Sequence, residues 1–187
     1  MAAVLGLDEP TLAAACRAAS AAVDEPVDIA NYNAPDQLVI AGAERALTRA
    51  MTEAQQRGAR RVVRLKVAGP FHTSLMRPAA EAFGALARTA PLAAARIPVL
   101  VNTTARPATA AHDLRAELEQ QLTSPVRWSD TMVRCAALAL DAVIEVGPGQ
   151  VLAGLARRAL PGVAVHCVHD RASLEATLQG LARLAVA

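Results

Sequence analysis

The chain is almost without aromatic rings. One Trp, one Tyr and two Phe make up 2% of it, too few for the stacking platforms that hold single-stranded bases. A net charge of +2 gives no basic surface for a polyanion, so nucleic acid is not an expected partner. No apolar run approaches the roughly 18 residues of a membrane helix, so no membrane association is expected. The opening MAAVLGLDEP has no basic segment and soon meets acids, unlike a signal peptide. Three widely spaced cysteines without a C-x-x-C pair read as buried free thiols in a reducing, cytoplasmic compartment. The run AVHCVHD looks like a metal tract, but on a strand His166 and Cys167 point to opposite faces, and no second ligand cluster accompanies them. No metal site is expected. None of the five serines lies in a G-x-S-x-G nucleophile elbow, and no Lys-Ser/Thr pair follows the one Gly-Pro-Gly turn, which excludes a P-loop there.

What is present is apolar and periodic. With 187 residues, 53% of them hydrophobic, the chain can bury the core of one large or two small domains. AAVLGL reads as a short strand. Asp8 can cap a helix with Pro10 in its first turn, and Leu12, Ala15, Cys16 and Ala19 recur on one helical face. VDIAN and LVIAG read as strands joined by the turn Ala34-Pro35-Asp36-Gln37. A helix with Leu47, Ala50, Met51 and Ala54 on one face then runs to Gly58, and VVRLKV reads as a strand with Val63, Leu65 and Val67 on one side. The order β-α-β-β-α-β is that of a ferredoxin-like subdomain, expected over residues 1–68.

From Gly69 the rhythm changes. A helix is expected over 72–89, then IPVLVN as a buried strand, DLRAELEQQL as a helix broken by Ser124-Pro125, and RWSDTMVRCAALAL as the next helix. AVIEVGPGQVLAGLARRAL reads as strand, Gly turn and helix, VAVHCV as a strand, and RASLEATLQGLARLAV as a terminal helix. Apolar strands alternating with helices predict a parallel sheet covered on both faces, over 69–187. The fold class is therefore α/β.

Few residues here could carry chemistry. His72 follows a strand end and a Gly-Pro turn, where α/β folds place functional side chains, and an intrinsic pKa of about 6.5 suits a general base. The alternative is a helix-start histidine in water. Gly147 and Gly149 flank Pro148 between a strand and a helix. They would let backbone approach a ligand and leave free helix N–H groups for an anion, or they simply make a tight turn. Asn31 and Asn33 flank the one tyrosine and could simply hold the turn before the hairpin.

VAGPFHTSLMRPAAEAF (67–83), NYNAPDQLVIAG (31–42), QLTSPVRW (121–128) and VIEVGPGQVLAGLARR (143–158) together resemble bacterial malonyl-CoA:acyl-carrier-protein transacylases and the acyltransferase domains of polyketide and animal fatty acid synthases. The similarity runs from Met1 to about Arg183. It implies a ferredoxin-like subdomain followed by part of an α/β-hydrolase-like parallel-sheet core. It also implies acyl transfer: a serine takes malonyl from coenzyme A, and the phosphopantetheine thiol of acyl carrier protein then removes it, with no cofactor beyond these two substrates. In that resemblance His72 is the catalytic base, and Gln121 is the residue whose backbone carbonyl orients it. Asn33, Gly147 and Gly149 lie near the site, and Phe71 stands at the position that goes with malonyl rather than methylmalonyl.

The resemblance also implies parts that this chain does not contain. The family's serine elbow, its oxyanion loop and the Arg that pairs with the malonyl carboxylate lie upstream of the matching segments. Met1 is thus expected to be an internal methionine, and the chain to be the C-terminal part of a transacylase, inactive alone, with acyl carrier protein, malonyl-CoA and an N-terminal portion of the enzyme as partners. Two other readings compete: a non-catalytic module that keeps carrier-protein contacts, and a small ferredoxin-like regulatory domain with an α/β extension. An in-frame G-H-S-x-G in the DNA upstream of Met1 would decide for the enzyme.

Overall fold

Ala2 and Val4 are wholly buried while Ala3 and Leu5 are half-covered, the period-two signature of a strand with one face on a core. In the computed structural model, which describes residues 1–184, this strand is β1 (Ala2–Leu5). α1 (Glu9–Val23) follows, capped by the Asp8 carboxylate, which accepts from Thr11 N–H at 3.0 Å. β2 (Val27–Ala34) and β3 (Gln37–Gly42) form the antiparallel hairpin read from the Ala34–Gln37 turn, and α2 (Glu44–Gln56) and β4 (Arg61–Arg64) complete the run. The sheet order is β2-β3-β1-β4, antiparallel throughout.

One face of this sheet meets the two helices. Leu12, Ala15, Cys16 and Ala19 of α1 and Ala46, Leu47, Ala50 and Ala54 of α2 pack with Val4, Val27, Ile29, Leu38 and Ile40. The many alanines let helix backbones approach the sheet closely. Gly42 shows how tight the hairpin mouth is: a Cβ there would stand 2.4 Å from the Pro26 carbonyl oxygen.

Beyond β4 several expected elements are shorter. The VVRLKV strand ends at Arg64, after which Leu65 N–H reaches Met1 O. The helix expected over 72–89 begins later: Thr73 is extended, Ser74–Met76 make one 3-10 turn, and α3 spans Arg77–Thr89 with Pro78 in its first turn. His72 cannot be helical because its φ is +65°.

IPVLVN is a correction. Only β5 (Val99–Leu100) is a strand, and its partner is β6 (Pro107–Ala108), antiparallel. The intervening residues fold straight back, with Val101 N–H on Arg106 O and Ala105 at φ 54°, so the segment pairs with its own continuation. α4 (Ala111–Gln120) follows. α5 covers Trp128–Ala136, stopping before the expected Leu140, because Leu138 N–H turns back to Cys135 O and Ala139 is left-handed.

By its internal contacts the chain divides into two compact units, Met1–Thr131 and a second beginning at Met132. In the second, β7 (Ala142–Val146) and β8 (Ala164–Val168) pair in parallel, with α6 (Val151–Ala159) between them in sequence and α7 (Arg171–Leu184) after. The sequence carries the terminal helix to Val186; residues 185–187 lie outside the described range. No helix among the described residues is long and apolar enough to cross a membrane.

Candidate functional site

The left-handed backbone of His72 is held from one place. Its N–H donates to Leu122 O at 2.9 Å, and its Nδ1 lies 2.6 Å from Gln121 O. A carbonyl only accepts, so Nδ1 carries the ring proton and Nε2 of the neutral imidazole presents a lone pair. Among the described residues Nε2 has no hydrogen-bond partner. A φ of +65° costs a non-glycine residue about 1–3 kcal/mol and persists only where surrounding bonds enforce it. Here the two carbonyls do so, and the buried Thr73 hydroxyl closes the turn by donating to Pro70 O at 2.7 Å.

Segment 121–127 supplies both carbonyls because the chain leaves α4 at Gln121 through a turn, in which Thr123 and Ser124 N–H both donate to Gln120 O at 3.0 Å, and Pro125 keeps the helix from continuing. Val126 then joins the exposed edge of β2: its N–H donates to Ala30 O at 2.9 Å and its carbonyl accepts from Tyr32 N–H at 2.8 Å. The Arg127 guanidinium lies 5.4 Å from the Tyr32 ring centre. Burial first, and then the Glu9 carboxylate, push the Tyr32 phenol above its ordinary value. The four-stranded sheet is thereby stitched to the segment that holds His72.

His72 lines a concavity of about 380 Å³ together with Cys16, Arg17, Asp28, Tyr32 and Ser74. Cys16 is the one thiol there, and it is inert: burial first, and then the Asp28 carboxylate, push it up to about 12. Labelled with iodoacetamide at pH 8 and followed residue by residue by mass spectrometry, Cys16 will react on the order of a thousandfold more slowly than an ordinary cysteine, because its thiolate fraction is lower by that factor.

The other expected site residues are placed less tightly. Asn33 occupies a bulge of β2, skipped in the register between Tyr32 and Ala34. Phe71 is half-buried, its ring edge 3.8 Å from where a Cβ on Gly69 would stand. Neither lines the concavity with His72. Gly147 and Gly149 belong to the second unit, in the turn between β7 and α6, at φ 127° and 99°. Here the structure corrects the expectation of free helix N–H groups. The Glu145 carboxylate accepts from Leu152 N–H at 3.2 Å and Ala153 N–H at 2.8 Å, so α6 already has its anion. Leu122 and Val126 are site elements with no signature of their own in the sequence; the Ser124-Pro125 break is the available signal that α4 ends there.

Against known proteins, the model of the acyl transferase domain matches residues 3–174. The chain belongs to the acyl transferase domain family. It is 38% identical over 176 residues to the malonyl CoA-acyl carrier protein transacylase of Haemophilus influenzae, covering 94% of this chain and 56% of that protein. It is 35% identical over 184 residues to the Bacillus subtilis transacylase, covering 97% and 57%. Among solved structures, FabD from Acinetobacter baumannii superposes with a TM-score of 0.91 at 34% identity, over 100% of this chain and 58% of that one. The malonyl-transacylase in complex with a type II PKS acyl-carrier protein gives 0.90 at 32%, over 96% and 57%. This acyl transferase chain thus shares their mixed α/β fold and spans somewhat more than half the length of the relatives it matches.

Proposed function

We propose that the chain is the C-terminal portion of a malonyl-CoA:acyl-carrier-protein transacylase of fatty acid or polyketide synthesis, acting in the cytoplasm. In this reading β1–β4 with α1 and α2 are its ferredoxin-like subdomain, ending near residue 68, and the remainder is part of an α/β-hydrolase-like core. The antiparallel order β2-β3-β1-β4 supports the first assignment; the parallel β7–β8 pair supports the second.

The observation that carries the reading is the His72 imidazole, with Nδ1–H on the Gln121 carbonyl at 2.6 Å and Nε2 open. A serine on a separate segment gives its proton to Nε2 as its oxygen attacks the malonyl thioester carbon. The C–S bond breaks, and the coenzyme A thiolate takes the proton from the imidazolium. In the second half the phosphopantetheine thiol gives its proton to Nε2, the thiolate attacks the malonyl ester, and the serine oxygen leaves and is reprotonated. The Gln121 carbonyl takes the place of a triad acid: it fixes tautomer and ring orientation and adds no charge. By the family resemblance Asn33, Phe71, Gly147 and Gly149 are assigned to substrate binding. No cofactor is required, because the thioester itself drives transfer.

Co-expression with a polypeptide supplying the upstream family residues, including the serine elbow, tests this. Transfer of malonyl from coenzyme A to acyl carrier protein is expected to appear, and His72→Ala to abolish it. Transfer that survives His72→Ala would reject His72 as the base.

A further inference from the structure

We infer that Glu117 is a positioning residue for His72, acting through Asn102 and the strap 121–127. The Glu117 carboxylate is half-buried and takes three donors from two consecutive residues. Oε1 accepts from Asn102 N–H at 2.9 Å and Thr103 N–H at 3.2 Å, and Oε2 accepts from the Thr103 hydroxyl at 2.6 Å. Charge-assisted bonds of this kind are roughly twice as strong as neutral ones. They fix Asn102, and Asn102 touches both ends of the strap: its carbonyl accepts from Arg127 N–H at 2.8 Å, and its side-chain amide donates to Gln121 Oε1 at 3.4 Å. Glu117 also holds the start of the strap directly, because its backbone carbonyl accepts from Gln121 N–H at 2.9 Å. The two carbonyls that set His72, from Gln121 and Leu122, lie between these fixed ends.

Among the described residues no other charged side chain bonds the 102–103 turn to α4. The side chain borders an open concavity of about 320 Å³, lined also by Thr103, Arg106 and Asp113. Truncating Glu117 therefore admits water and is not refilled by protein. The turn, and with it the far end of the strap, loses its fixed position. A base misplaced by about 1 Å can cost on the order of 10²-fold in rate.

The test is proton and nitrogen NMR of the imidazole in the full chain. A short Nδ1–H···O=C bond gives a downfield proton that exchanges slowly with water. In Glu117→Ala this resonance is expected to move upfield or vanish by exchange at least about tenfold faster, the factor that loss of one hydrogen bond to a charged group is worth. In Glu117→Gln it is expected to persist, because the amide oxygen still accepts both N–H groups and the amide nitrogen donates to the Thr103 hydroxyl. Arg115→Ala is the control. Arg115 lies on the same helix and donates to the Ala87, Arg88 and Ala90 carbonyls at the end of α3, so its loss lowers stability without reaching His72. Should Glu117→Ala fail to fold, Thr103→Val removes one donor and is expected to give a smaller shift of the same sign. An unchanged resonance in folded Glu117→Ala overturns the inference. So does a shift in Arg115→Ala as large as in Glu117→Ala.

The consequence for transfer rests on the reading of His72 as base; the NMR result does not. In the reassembled enzyme Glu117→Ala is expected to lower kcat with little change in KM. A displaced resonance with unchanged transfer would leave Glu117 as positioner and reject His72 as base.

Discussion

Incubated alone with radiolabelled malonyl-CoA, the chain will form no covalent acyl-enzyme and pass no malonyl to acyl carrier protein. The His72 ring is oriented by the Gln121 carbonyl, but nothing within its reach can act as nucleophile. A serine that His72 activates must stand within about 2.6–3.2 Å of Nε2, and among the described residues Nε2 has no partner. None of the chain's five serines, Ser124 and Ser129 included, bonds the His72 ring among the described residues. Ser20 is tied to Val27, its hydroxyl accepting from the N–H at 3.1 Å. Ser173 is engaged with Asp170 at the start of α7. The Thr73 hydroxyl is committed to Pro70 O. Ser74 lines the concavity but sits in a 3-10 turn, where it makes no bond to the ring. Cys16 is a neutral thiol. Loss of a serine nucleophile from a Ser–His site costs on the order of 10⁶-fold in rate, so the expected signal is that of buffer alone. Gel fluorography after denaturation reads it directly, and a labelled band would show that a nucleophile in this chain has gone unrecognised.

The second large effect concerns surface. The chain alone will bind a hydrophobic dye strongly and self-associate with rising concentration. Up to Lys66 no large apolar side chain is exposed; from Val67 onward fifteen are, among the described residues. In the second unit they gather on the β7–β8 pair and its helices: Val146 is 79% exposed, Val151 74% and Leu178 57%, with Ile144, Leu152 and Leu174 beside them in sequence. Burying one such side chain is worth about 1.5–3 kcal/mol. A two-stranded parallel sheet with open edges and exposed Ile144 and Val146 on β7 is rare because parallel sheets are normally covered on both sides, and such edges pair with other chains. Dye fluorescence, light scattering and sedimentation check this. On adding the upstream polypeptide, the dye should be released as transfer activity appears. A monodisperse monomer that leaves the dye dark would show that these side chains are covered in solution.

Local rules made much of the fold legible. The α1 cap at Asp8, the helical faces of α1 and α2 and the β2–β3 hairpin all follow from spacing and turn chemistry within a few residues, and the structure has them. What was hidden depends on distant partners. Nothing near His72 announces a left-handed backbone, because the carbonyls that enforce it lie 49 and 50 positions away. IPVLVN has the composition of a buried strand, yet Ile97 is 75% exposed and the chain doubles back on β6; composition cannot report whether a neighbour is there to pair with. The turn at Gly147 and Gly149 was visible, but the Glu145 carboxylate on its helix was not, since that bond joins a strand residue to a helix start seven positions on.

The stitch between Val126 and β2 fixes an order of events in synthesis. A nascent chain that has emerged through Arg64 holds every strand of the four-stranded sheet and can fold it. The histidine eight residues later then has no orienting carbonyl, because Gln121 and Leu122 are not yet made, and the Val126 bonds that dock their strap close a loop of nearly a hundred residues back to Ala30. Contacts of such separation form late and slowly. The oriented geometry of His72 is therefore a final act of folding, acquired only after Arg127 clears the ribosome, on a scaffold whose last strand, ending at Arg64, was made some sixty residues earlier.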